Sequence, residues 1–459
     1  MIRQSLKEIQ QMVDGSGLES RFEDLMICGV SIDSRAIQSG NLYIPIIGER
    51  VNGHSFVAGA MALDAGGVLW QADVPNAPTD IPVIVVKDTK KALQQLAIAY
   101  KEQLSMKVIG ITGSNGKTST KDILASILAT TYKVHKTPGN LNSEFGMPLT
   151  LLMAPADTQI AVLEMGMRGL GQIKLLSDMA KPDVSVITCI GEAHIEDLGS
   201  RENISIAKFE ITSGLSEDGL FVYHGDEPLL AERIAEAKPA FKMIPFGDAT
   251  HNDYYPTSIS VDGNGMIFTI PQTDLVFNLS VLGKHNVMNT LAAIAVARHF
   301  DVTFEHIKVG LANVEMSKMR MEISHAENGL MIIDDTYNSS PTSVRATVDL
   351  LYSLTGFEQK IVVLADMLEL GEHTIRYHEE IGTYIDPNEI DVLFTYGPLS
   401  KHTADHSKVK VTQHFDDKLA LAKELVARSS NKDVCLIKGS RGMMLEDVIN
   451  EMKGSAGES

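Results

Sequence analysis

The sequence predicts an α/β protein of three domains, the central one built on a doubly wound, mostly parallel sheet. Three observations lead there. From Met106 onward the apolar runs KVIGITG, QIAVLEMG and DVSVITCIG alternate with polar or helical sequence. After SKMRMEISHAENG the alternation restarts with LMIIDDTYN, KIVVLADM, DVLFTYG and DVCLIKGS, which marks a further sheet. The chain of 459 residues also exceeds one ordinary core. The breaks in the pattern place the domains at 1–105, 106–316 and 317–459.

Each element has a local reason. The first domain is small and mixed, with strand candidates NLYIPII and IPVIVV around the helix-like FVAGAMALDAG. In the second, KVIGI runs into GITGSNGKTSTKDI and then DILASILAT, where Ile123, Leu124, Ile127 and Leu128 recur at helical spacing. The context is strand, glycine loop, helix. Further on, DVSVITCIG leads to GEAHIEDLGSRENISIAKFEI, with His194 after a strand end and Lys208 expected to begin a helical segment. The helix of GKHNVMNTLAAIAVA carries the small residues Ala292, Ala293 and Ala295, with His285 and Asn286 in the turn that starts it. The tail GSAGES is small and polar and is expected to fray.

Composition narrows the function. Hydrophobic residues make up 44% and charged residues 22%, as in ordinary globular domains. A net charge of -19 argues against a general nucleic-acid or anionic-membrane binder, while leaving room for an anionic substrate in a locally basic pocket. Cys28, Cys189 and Cys435 lie far apart and suggest neither disulfides nor a zinc site. MIRQSLKEIQQMVDG lacks the apolar core of a signal peptide, and no run reaches membrane-spanning length. A cytoplasmic protein is expected.

The glycine loop carries the chemistry. A glycine-rich turn from strand to helix lets backbone N–H groups approach a polyphosphate, and the helix N-terminus adds favourable partial charge. Lys117 would neutralise the terminal phosphates and the Thr118 hydroxyl would ligate magnesium. The strict G-x-x-x-x-G-K-[ST] pattern fails, because Ile111 occupies its first glycine position; the glycines are Gly110, Gly113 and Gly116. A bare Gly-Lys-Thr match also describes a tight turn with an exposed lysine, but the flanking strand and helix favour a nucleotide. Magnesium needs hard oxygen ligands at neighbouring strand ends, and Glu164, closing QIAVL, is so placed.

TGSNGKTS, EMG, GEAHIE with AKFEI, and GKHNVMNTLAAIAVA, in this order, resemble successive motifs of the Mur ligase family. The resemblance covers nearly the whole chain. It implies a P-loop central domain, a Rossmann-like C-terminal domain, and an ATP-dependent ligase that activates a carboxylate as an acyl phosphate for attack by an amine. On that resemblance, Gly113, Ser114, Asn115, Gly116, Lys117, Thr118 and Ser119 would cradle ATP. Thr118 and Glu164 would bind one magnesium, and His194 would help hold a second. Lys208 matches the lysine that the family carbamylates. Asn289 would read adenine, Arg320 would reach the phosphates, and Asp335 would contact the ribose. A glycine common just before this arginine is replaced, the stretch reading Lys318-Met319.

Other segments set the branch. VSIDSRAIQSGNLYIPIIGERVNGHSF resembles a uridine-nucleotide domain, which would bring Ser34, Arg35, Asn52 and His54 to the uridine diphosphate, with Asn52 where an aspartate is common. TPGNLNSEFGMPLTLL, DDTYNSSPTSV, LADMLELGE and LIKGSRGMMLE resemble the branch that adds D-alanyl-D-alanine to a UDP-muramoyl tripeptide. Asn140 and Asn142 would then face that substrate, and Tyr337 with Asn338 would border the dipeptide or nucleotide. Ala365 replaces a usual glycine and Ser340 a usual asparagine. The partners implied are these two small substrates, without nucleic acid, and the protein is expected to be a monomer. An amino-acid-adding sister, folylpolyglutamate synthetase and a nucleotide-gated scaffold are the rivals. The missing Asp-Asn-Pro-Arg signature weakens the first, the uridine-type domain the second, and intact Lys117, Glu164, His194 and Lys208 the third.

Overall fold

The computed structural model describes residues 1–454; apart from Gly454, the tail expected to fray lies outside the described residues. The chain is mixed α/β, and its described strands form five sheets. Six parallel strands make the central one, in the order Lys242–Phe246, Leu220–His224, Val184–Ile187, Lys107–Thr112, Ile160–Glu164, Val134–Lys136. Ile160–Glu164 and Val184–Ile187 are buried along their whole length. Burial on both faces explains why they read as unbroken apolar runs. Around Lys107–Thr112 the strand order reverses, so crossovers leave to opposite sides and open a crevice at the carboxyl ends.

A second six-stranded sheet runs Glu322–His325, Met331–Asp335, Val434–Lys438, Lys360–Ala365, Val392–Tyr396, Val411–Phe415, with only the first strand antiparallel. Its register sets Asp335 beside Lys438. The first residues form a four-stranded parallel sheet, Val30–Ser31, Leu42–Tyr43, Gly67–Gln71 and Val83–Val86. NLYIPII contributes only Leu42–Tyr43, since Pro45 lacks an N–H for the ladder. FVAGAMALDAG gives a helix at Val57–Ala62.

Two features depart from the sequence reading. Lys208 does not begin a helix; it sits in the last turn of Arg201–Phe209, which starts earlier because the Ser200 hydroxyl accepts a hydrogen bond from Asn203 N–H at 3.2 Å. A three-stranded antiparallel sheet, Ser258–Asp262, Gly265–Thr269 and Phe277–Leu279, also extends the central region. The turn signal Asp-Gly-Asn-Gly at 262–265 marks its first hairpin.

The helix after the glycine loop, Lys117–Leu128, packs against Lys284–His299 and Phe304–Ala312. Ala292, Ala293 and Ala295 are fully buried. At Gly310 a Cβ would lie 2.5 Å from the Ile127 Cα, so only glycine permits the approach. The loop is therefore held from behind by a close-packed helical layer.

Candidate active site at the nucleotide cleft

The glycine loop is shaped by sterics. Gly116 has φ +80° and precedes Lys117–Leu128, whose N-terminus takes no side-chain cap. A Cβ at Gly116 would come within 2.4 Å of Asn289 Oδ1, and one at Gly113 (φ +155°) within 1.8 Å of Thr188 Oγ1. Glycine at both positions leaves the first N–H groups of the helix open to an anion. Lys117 arches back over the loop, its Nζ donating to Gly113 O at 2.8 Å. Burial pushes its pKa down, Glu164 opposes that, and Arg320 adds to it.

Glu164 is buried at its strand end, where its two oxygens accept from Thr118 Oγ1 at 2.9 Å and Asn142 Nδ2 at 2.8 Å. Asn142 fits because residue 166 is glycine; a Cβ there would meet its Oδ1 at 2.8 Å. From the other side the buried Lys121 Nζ stands 4.0 Å from Glu164 Oε2. Thr118 and Glu164 present hard oxygens beside the phosphate loop, a donor set suited to magnesium. Among the described residues, no group of three or more His, Cys, Asp or Glu side chains is placed to share an ion.

His194 has a left-handed backbone (φ +67°) at the start of the short helix Ile195–Leu198. Its Nδ1 lies 2.9 Å from Glu369 Oε2, a carboxylate from the loop after Lys360–Ala365. His194 holds the Glu369 carboxyl below its ordinary value against the effect of burial. Lys208 is 1% exposed, and its ammonium makes no hydrogen bond among the described residues. Burial pushes its pKa well below the usual lysine value, and nearby Lys117 pushes the same way.

The C-terminal sheet supplies the opposite wall. Arg320 Nη2 donates to Thr118 Oγ1 at 3.2 Å, and its guanidinium carbon lies 4.0 Å from the Tyr337 ring centroid. Met319 (φ +60°) and Met321 (φ +56°) flank it, so methionine adopts the left-handed backbone where a glycine is common. Burial opposes ionisation of Asp335, but Lys438, whose Nζ donates to it at 2.5 Å, outweighs this and holds its pKa down. Lys438 also donates to Asn338 O at 2.9 Å. Ser340 Oγ donates to Asn115 Oδ1 at 3.3 Å, and Thr342 Oγ1 to Glu192 Oε2 at 2.7 Å, tying this wall to the loop. Ala365 is accommodated because the facing residue is Gly439, where a Cβ would lie 2.8 Å from its methyl. His285, half-buried and with its pKa lowered by desolvation, and Asn289, donating to Asn286 Oδ1 at 3.1 Å, close the rear.

These residues enclose a cleft of about 750 Å³. It is lined by Ser114 to Ser119, Asn140, Asn142, Glu164, His194, Asn289, Arg320, Asp335, Tyr337 and Asn338. Ser34, Arg35, Asn52 and His54 are not among its lining residues. Arg35 is exposed and forks onto Asp33 at 3.0 and 2.8 Å. Asn52 caps the turn Gly53–Phe56. His54 is buried against Trp70, with Nδ1 2.7 Å from Asn52 Oδ1 and Nε2 accepting from Gln71 N–H at 3.1 Å. With both ring nitrogens engaged inside the fold, His54 is a strut and offers no free nitrogen to a ligand.

Sequence reasoning missed Lys121, Asp122, Glu192, Glu369 and Lys438. Their segments were singled out, but their pairings reach across the chain, 195 residues from Asp122 to Ser317 and 150 from Glu192 to Thr342, and no one-dimensional spacing encodes them.

Three family models match the chain: Mur ligase family, catalytic domain, at 26–101; Mur ligase middle domain at 111–297; and Mur ligase, glutamate ligase domain, at 319–441. With the loop, acid and arginine geometry above, the class is defined: the chain belongs to the Mur ligase family, ATP-dependent enzymes that form peptide bonds. More particularly, it is 45% identical over 456 residues to the UDP-N-acetylmuramoyl-tripeptide--D-alanyl-D-alanine ligase of Bacillus subtilis (strain 168), covering 98% of this chain and 99% of that protein. A crystal structure of MurF from Acinetobacter baumannii superposes with a TM-score of 0.89 at 29% identity, covering 99% of each chain. MurF ligase from Thermotoga maritima in complex with ADP gives 0.83 at 29% identity, covering 93% of this chain and 97% of that one.

Proposed function

We propose that the chain joins D-alanyl-D-alanine to the terminal carboxylate of UDP-N-acetylmuramoyl-tripeptide, using ATP and giving the pentapeptide precursor of peptidoglycan. One observation carries the chemistry: Arg320, two residues before the first strand of the C-terminal sheet, reaches Thr118 of the phosphate loop, which itself donates to Glu164. The choice of substrates is supported by full-length likeness to ligases of that name.

A carboxylate is a poor electrophile, so its oxygen first attacks the γ-phosphorus of ATP, breaking the bond to ADP. The dipeptide amine then attacks the acyl carbon, loses a proton, and phosphate leaves as the tetrahedral intermediate collapses. Lys117 and the loop N–H groups would neutralise and orient the phosphates, with Arg320 closing from the far wall. Asn289 would face adenine and Asp335 the ribose. Asn140 and Asn142 border the tripeptide side, Tyr337 and Asn338 the dipeptide side, and Ser34, Arg35 and Asn52 the uridine nucleotide.

Thr118 and Glu164 fit one magnesium, and His194 with Lys208 a second, provided Lys208 is carbamylated. Bound magnesium would offset phosphate charge and so ease transfer. The modification is favoured by a buried amine of depressed pKa, without a hydrogen-bond partner among the described residues, because the neutral amine is the form that adds to carbon dioxide, releasing a proton. As an ammonium beside Lys117, Lys208 would repel a cation. The three-domain division at 1–105, 106–316 and 317–459, a monomeric state and a cytoplasmic setting complete the reading. Among the described residues, no helix is long and apolar enough to cross a membrane.

The test is phosphate release from ATP with UDP-muramoyl-tripeptide present, comparing D-alanyl-D-alanine with single amino acids. Release that requires the dipeptide is expected. Release with a single amino acid would move the chain to the sister branch, and none with any acceptor would refute the ligase reading.

A further inference from the structure

Outside the residues that face the cleft, a buried polar cluster ties the helix of the phosphate loop to the segment that delivers Arg320. Asp122, in the second turn of Lys117–Leu128, has a fully buried side chain. Its Oδ2 accepts from both Ser317 N–H at 2.9 Å and Ser317 Oγ at 2.7 Å. Its Oδ1 faces Lys136 Nζ at 2.6 Å and Lys121 Nζ at 3.6 Å. A buried carboxylate is costly unless its lone pairs are filled, and here two cations and two donors fill them. Ser317 precedes Arg320 by three residues, and the two residues flanking Arg320 have left-handed backbones. Such a conformation persists only when its surroundings hold it.

We propose that Asp122 is a positioning residue: by gripping Ser317 through two hydrogen bonds, it fixes the start of segment 317–321 and so seats Arg320 on Thr118 at the phosphate loop. The inference rests on the ligase reading only in taking ATP as the ligand of that loop. Asp122 never touches substrate; it acts through Arg320. Because it lies on the same helix as Lys117 and Thr118, loop and arginine share one anchor, and their separation is set within a single rigid element.

The test is ATP affinity by calorimetry, with melting temperature as the control for folding. Ser317 is half-buried, so Ser317→Ala removes one donor without opening the core. Losing one hydrogen bond to a charged group is expected to weaken ATP binding about tenfold, with a cooperative melt only a few degrees below the parent's. Ser317→Thr, which keeps the hydroxyl, should bind as the parent does. In an Arg320→Ala background the same Ser317→Ala change should have no further effect, because the residue it positions is gone. A loss that persists undiminished in that background, or no loss in the parent, would overturn the proposal. Absence of ATP binding by the parent chain would instead refute the ligase reading on which the loop's ligand rests. Asp122→Asn is a second variant; should it fail to fold, the Ser317 cycle decides alone.

Discussion

Lys208 is the residue whose chemistry and cost diverge most. A buried lysine with no hydrogen-bond partner among the described residues, beside a second lysine, destabilises the fold in its charged form. Its folded pKa lies below its unfolded one, so between the two values the unfolded chain binds more protons, and stability rises with pH through that window. Lys208→Met is expected to stabilise the protein by roughly 1–4 kcal/mol at neutral pH in carbonate-free buffer. The same change should abolish turnover. Denaturation across a pH series checks the sign: the advantage of the variant should shrink as pH rises toward 10.5, the ordinary lysine value. A constant advantage would mean that the Lys208 amine has the same pKa in the folded and unfolded chains. Met319 carries a milder cost of the same kind, a left-handed backbone without glycine, adjacent to the arginine that crosses to the loop.

Among the elements, the helix Lys117–Leu128 decides the site, since it presents Lys117 and Thr118 at one end and holds Asp122 within. Its position depends on close approach to Phe304–Ala312 at Gly310. Gly310→Ala would drive a methyl to 2.5 Å from the Ile127 Cα, with backbone as the obstacle. The expected loss is about 1–3 kcal/mol in urea denaturation, with weakened ATP binding because the loop moves with its helix. An unchanged midpoint would show that the two helices slide freely. The pattern of this helix was legible in DILASILAT, as was that of the strand before it, because burial enforces the period. Arg201–Phe209 was misread at its start because the cap at Ser200, and not the apolar spacing around Lys208, sets where it begins.

Across the whole molecule, the cleft exists because two sheets meet. Glu369 on His194, Thr342 on Glu192 and Ser340 on Asn115 are contacts between loops and helix starts that follow strands of the two sheets. Glu369 is 44% exposed, so its ion pair adds less than about 1 kcal/mol to overall stability. It can still bias the docking of one wall against the other. Glu369→Ala is expected to leave the melting temperature within a degree or two and to raise the radius of gyration in solution scattering without nucleotide. The carboxyl is depressed, so its contribution is present above the ordinary carboxylate range and lost as pH falls through the lowered value. Acid below the ordinary carboxylate range should therefore expand the parent chain and leave the variant unaffected. No expansion in either case would remove Glu369 from the docking contacts.

The sequence by itself determined the α/β class, the two large sheets, the phosphate loop and the family, because burial imposes periodicity and polyphosphate binding favours a glycine-rich turn between strand and helix. It placed Glu164 at a strand end beside the loop, but could name Arg320, Asp335 and Asn289 only through resemblance. Tertiary structure alone decided that Asn289 packs on Gly116, that Lys438 pairs with Asp335, that Asp122 grips Ser317, and that His54 has its nitrogens engaged in the fold. Each of these joins residues brought together by crossovers or by sheet packing. A buried charge and a solvated one look alike in a string of letters, and only the partner that folding supplies tells them apart.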